Sequence, residues 1–119
     1  MNPERLEEII KPLEDLFVEL DFIPYGEPIA EKSARVASFR RKDGLIVDYA
    51  LQVIKDEDKG DASDSEINLS ASLYVNESTR SLVKNTHRHG NYPVTDIVNH
   101  MIEEEIEPEL KLYLLGYID

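Results

Sequence analysis

Cysteine and tryptophan are absent from the 119 residues, and glycine occurs only five times. Without cysteine there is no disulfide framework, no thiolate nucleophile and no cysteine-ligated zinc. Small secreted domains commonly rely on such staples, so their absence points to the cytoplasm. The glycines are scattered, which excludes a phosphate-cradling Gly-rich loop, and neither a Gly-x-Ser-x-Gly elbow nor a His-Glu-x-x-His pair occurs. Long apolar runs are also missing. The longest, Leu112 to Ile118, is interrupted by Gly116 and falls well short of the roughly 18 residues that a membrane span needs. The opening residues Met1 to Arg5 lack the basic-then-apolar layout of a secretory signal. Positive charge is scarce: 13 lysines and arginines face 25 acids, for a net charge of −12. Phosphate backbones and anionic lipid repel such a chain, so direct nucleic-acid or membrane binding is not expected and a basic protein partner is favoured. Solubility alone is the plainer use of the same charge.

The length suits a single domain over residues 1–119 with one buried core. Charge is unevenly spread along it. Residues 1–31 carry a net −7 and residues 95–119 a net −6, whereas residues 32–54 carry +3. Leu6, Ile9, Ile10, Leu13, Phe17 and Leu20 recur at helical spacing, with Asn2 as N-cap and Pro3 in the first turn. Pro12 lacks a donor for the Glu8 carbonyl, which predicts a kink or a helix starting near Pro12. Pro24, Gly26 and Pro28 predict a loop after it.

A hairpin follows, Ala34 to Arg41 and Leu45 to Ile54 around Lys42-Asp43-Gly44. Leu45, Val47, Tyr49, Leu51 and Val53 alternate with Asp48 and Gln52. Ile67, Leu69, Ala71, Leu73 and Val75 repeat that alternation in a third strand. The polar stretch 55–66 between these strands predicts an exposed, mobile loop. Asn76 or Ser78 is positioned to cap a short helix through Val83, and 85–91 reads as loop. Pro93 opens a long helix with Val94, Ile97, Val98, Met101, Ile102 and Ile106 on its apolar side, and Pro108 is expected to break it. The tail 110–118 is apolar all round, which predicts burial as either a helix or a strand. The fold expected is α+β: a three-stranded antiparallel meander, four-stranded if the tail joins it, with the N-terminal and long C-terminal helices on one face.

His87 and His89 flank Arg88 and share a side of an extended backbone, the arrangement of a two-imidazole metal site lacking a third ligand. The plainer reading is a polar loop with both rings in water, and no metal or cofactor is expected. Asp96, His100 and Glu104 recur every four residues on the second helix, with Glu103 and Glu107 beside them. That spacing suits an acid–base pair or, more simply, a solvated polar face. The acidic groups are the most informative feature. Glu103, Glu104, Glu105, Glu107 and Glu109 cluster in two helical turns, Asp56, Glu57 and Asp58 sit in the polar loop, and Glu7, Glu8, Glu14, Asp15, Glu19 and Asp21 follow the first helix. Merged into one patch, they attract a cationic protein. Arg35, Arg40, Arg41 and Lys42 on the hairpin are available to pair with these acids within the chain or across a homodimer.

These features lead to a non-catalytic protein-binding module that occupies a basic partner. In size, acidity and lack of catalytic motifs it is similar in type to bacterial immunity proteins and to inhibitors that imitate nucleic-acid charge. A second expectation is a dimeric chaperone for a secreted effector, since acidic secretion chaperones are similar in length, charge and a helix-then-hairpin opening. Those chaperones continue in strands where this chain, after Val75, reads mostly as helix. The third is a metal-binding protein or enzyme centred on His87, His89 and the second helix.

Overall fold

The alternation of apolar residues on the central strands commits one sheet face to the core, and three helical segments cover that face. The computed structural model describes residues 3–55, 65–90 and 92–118. Helix α1 spans Pro3–Glu19 and buries Leu6, Ile9, Ile10, Leu13, Leu16 and Phe17. Six strands follow: β1 Ile23–Pro24, β2 Ile29–Glu31, β3 Ala34–Arg40, β4 Ile46–Lys55, β5 Ser65–Val75 and β6 Ser78–Gly90. The chain ends in α2 Val94–Met101, a π-helical turn Ile102–Ile106 and α3 Glu107–Ile118. The sheet runs in the order β1-β3-β4-β5-β6, with β2 also on the outer edge of β3, and every pairing is antiparallel. Val47, Tyr49, Leu51 and Val53 of β4 and Ile67, Leu69, Ala71 and Leu73 of β5 point into the core. The rings of Phe22, Phe39 and Tyr49 gather round Phe17, with Phe39 edge-on at 5.3 Å.

The α+β class and the helix-covered face agree with expectation, but the sheet has six strands rather than three or four. Two of the extra strands, β1 and β2, lie where Pro24 and Pro28 suggested only loop. They are two and three residues long and pair with an outer strand edge, where a missing N–H is tolerated. The third is β6, which replaces both the short helix through Val83 and residues 85–90 of the expected loop, Asn91 lying outside the described residues. Asn76 is not a helix cap: it takes a left-handed φ of 55° and starts the turn that pairs Val75 with Ser78. Asparagine tolerates that conformation better than most residues. Gly44, with φ 93°, closes the expected hairpin in the same way.

A helix start near Pro12 and a break at Pro108 are both overturned. Helix α1 continues through Pro12, which is exposed, so the carbonyl it leaves unpaired lies on the solvent side. Pro108 stands in the first turn of α3, directly after the π-helical turn, where the Glu107 N–H reaches back five residues to the Ile102 carbonyl. A wider turn absorbs the proline instead of ending the helix. The tail is helical, and its uniform burial does not hold: Leu110 and Leu114 are buried, while Leu112 and Leu115 are exposed. The Asn2 cap and the loop residues Asp56, Glu57 and Asp58 lie outside the described residues.

Candidate functional site

The polar side of α1 and the chain from α2 to α3 carry the acids, and packing of α1 against α2 decides which of them meet. Asp15 and Glu19 of α1 line one groove with Glu103 and Glu107, over a floor that includes Pro12, Leu16 and Ile102. The groove has a volume of about 210 Å³. Two of the three acidic groups thus come together. The five C-terminal glutamates do not form one patch, because Glu104, Glu105 and Glu109 turn to a second groove beside Leu82, Val83 and Thr86 of β6. The π-helical turn contributes to this division, since it changes the angular step between Glu103 and Glu107.

Some of this charge is already neutralised. Arg88 donates to Glu105 at 2.5 Å, Lys111 to Glu107 at 2.7 Å and Lys11 to Asp15 at 3.0 Å. The Glu107 bond, and the nearby Glu19 carboxylate to a lesser degree, hold the Lys111 pKa above its ordinary value. Glu103, Glu104 and Glu109 stay exposed. The hairpin arginines are also occupied within the chain. Arg41 binds Asp43 at 2.6 Å and lies over the Phe22 ring, and Arg40 lies over the Tyr25 ring. The Arg41 bond holds the Asp43 carboxyl below its usual range.

Arg35 points inward and belongs to a buried relay that the sequence reading missed. Its Nε donates to the Tyr49 hydroxyl at 3.1 Å, and that hydroxyl donates to Glu14 Oε2 at 2.5 Å. Burial, with the Glu14 carboxylate adding to it, pushes the Tyr49 pKa well above that of a free phenol. Burial also works against the charge of Arg35, but Tyr49 and Glu14 outweigh it and leave the guanidinium pKa raised. The available signal was parity: Arg35, Ala37 and Phe39 share one face of β3, so an arginine was directed at the core. Glu14 and Arg35 also line a cleft bounded by Val18 of α1 and by Pro24, Gly26 and Pro28.

His87 is separated from the second helix. His87 is the cross-strand partner of Asn68, on the face opposite Ile67 and Leu69, and His89 pairs in register with Glu66. Arg88, between them, faces Glu105 and shares a pocket with Tyr92, Asp96, Ile97 and His100. Thus neither His87 nor the open face it occupies joins Asp96 and His100. Among the described residues, no three histidine, aspartate or glutamate side chains are grouped to hold a metal. No described helix is long and apolar enough to cross a membrane. No protein-family model, no curated protein and no solved structure matches the chain.

Proposed function

We propose that the protein is a non-catalytic binding module whose helical layer receives a basic protein surface, with the groove of Asp15, Glu19, Glu103 and Glu107 at the centre of contact. The observation that carries this reading is the convergence of carboxylates from two separate helices over a partly apolar floor. Such a groove offers aliphatic stems somewhere to pack and cationic heads several oxygens to meet. Lys11 and Lys111 pair with Asp15 and Glu107 at exposed positions, where ion pairs are weak and give way to a competing cation.

The test compares wild type with a D15N/E19Q/E103Q/E107Q variant. Both should show the same circular dichroism and melting. Basic proteins captured from host lysate at low salt by wild type should be lost from the variant and released by high salt. Retention of the same proteins by the variant would remove the groove from the interface.

A second reading, the dimeric acidic chaperone, is favoured by β6. The chain continues after Val75 in a 13-residue strand, as those chaperones do, and no longer departs from them at that point. Sedimentation equilibrium separates the readings: a stable dimer favours the chaperone, and a monomer favours the simple binder.

A further inference from the structure

The cleft between α1 and β3 joins apolar walls to a pair of opposite charges, and the protein-binding reading leaves it unused. Val18, Pro24, Pro28 and Phe39 give it apolar walls, and Glu14 and Arg35 give it charge. Its volume of about 340 Å³ falls in the range of small-molecule sites, which combine apolar walls with a few placed polar groups. The Arg35 side chain is only 10% exposed, and its Nε is taken by the Tyr49 hydroxyl. Its two terminal nitrogens bond no described residue. A largely buried guanidinium with open donors calls for an acceptor. Glu14 gives Oε2 to the Tyr49 hydroxyl, and its Oε1 bonds no described residue. Asp15 also lines the cleft, but Lys11 holds its carboxylate at 3.0 Å.

We propose that this cleft binds a free α-amino acid with an apolar side chain, of the size of leucine or phenylalanine. The terminal nitrogens of Arg35 take its carboxylate, and the open Glu14 oxygen takes its ammonium. The apolar side chain lies against Val18, Pro24, Pro28 and Phe39 and covers Val18, which is 55% exposed without it. Charge selects this class of ligand. Arg35 Nε and Glu14 Oε2 are 3.8 Å apart, so the cleft presents opposite charges side by side. The two charges of an α-amino acid likewise flank a single carbon. A simple anion would meet Glu14 as well as Arg35, and a simple cation would meet Arg35 as well as Glu14, whereas a zwitterion matches both. The Tyr49 hydroxyl ties the two groups together before any ligand arrives, which lowers the cost of ordering them on binding.

The experiment is titration of the full chain with L-leucine and L-phenylalanine, followed by amide NMR. Both should give saturable shifts centred on Val18, Gly26, Ala37 and Ser38. N-acetyl-L-phenylalanine lacks the ammonium and L-phenylalaninamide lacks the carboxylate, and each should bind about tenfold more weakly or worse. Arg35→Lys keeps the charge but loses the fork, and Val18→Asp removes an apolar wall. Each should weaken phenylalanine binding about fivefold or more. Val18→Asp alters an exposed position and leaves the relay intact, so its result stands even where Arg35→Lys fails to fold. Leu112→Asp, exposed on α3, should bind as wild type does and serves as the control. Absence of saturable shifts with both amino acids, shifts centred elsewhere, equal binding of either analogue, or unchanged affinity in Val18→Asp would each overturn the site.

Discussion

Two neighbouring residues on β4, Asp48 and Tyr49, contrast the two faces of the sheet. Tyr49 points beneath α1, where the Phe17 ring packs against it and its hydroxyl joins Arg35 to Glu14. Asp48 points the other way, to a face lined by Val36, Ser38, Ala50, Ser70 and Ser72, which no described helix covers. Burial raises the pKa of both groups, but the consequences differ. The covered face surrounds its polar group with partners and aromatic rings. The open face gives its carboxylate a hydrogen bond from Tyr74 and partial contact with water. Stability is therefore concentrated on one side of the sheet, and the other side is free to change at little cost.

The largest expected effect tests that asymmetry directly. Phe17→Ala removes the ring at the centre of the aromatic group and should cost about 3–5 kcal/mol in urea unfolding. Val36→Ala, on the open face and 40% exposed, should cost less than about 1 kcal/mol. A Val36→Ala cost that approaches the Phe17 value would mean that something covers the open face in solution. Repeating the unfolding at tenfold dilution would then identify a second copy, because dimer stability depends on concentration.

Next in size is the relay. Tyr49→Phe keeps the ring but leaves Glu14 and Arg35 without the hydroxyl between them, and should cost about 1–3 kcal/mol. The same variant changes the pH dependence. The folded protein holds the Tyr49 proton more tightly than the unfolded chain does, so this contribution is full below pH 10.0 and is lost as pH rises beyond it. Wild type should lose stability above pH 10.0 more steeply than Tyr49→Phe. Parallel curves would show that the relay stores no such energy.

The covered face was readable from sequence because burial imposes a period of two on β4 and β5 and a helical period on α1. The residues that escaped are those under weaker constraint. Strand β6 sits at the sheet edge, and Arg80, Lys84 and Arg88 break up its pattern; such charges discourage further pairing but also hide a strand. Asn76 signalled a local backbone feature, and the same side-chain chemistry serves a helix cap or a left-handed turn. Pro108 was readable as a disruption, yet not as one that a π-helical turn would absorb. The five C-terminal glutamates were individually visible. Their division between two grooves depends on that same turn and on the packing of α1 against α2, which no local pattern encodes.

The smallest effect expected is on the open face itself. Burial raises the Asp48 pKa above 3.8, against the opposing hydrogen bond from Tyr74, so folding favours the protonated form. Its contribution to stability is greatest below pH 3.8 and declines as pH rises through the folded pKa. Asp48→Asn removes the buried charge while keeping an oxygen for Tyr74. It should stabilise the protein at pH 7 by no more than about 0.5 kcal/mol, with the gain gone by pH 3. Urea midpoints at the two pH values measure it. A loss of stability at pH 7 would mean that the bond from Tyr74 to a charged acceptor outweighs desolvation, and that the open face holds its polar groups as firmly as the covered one.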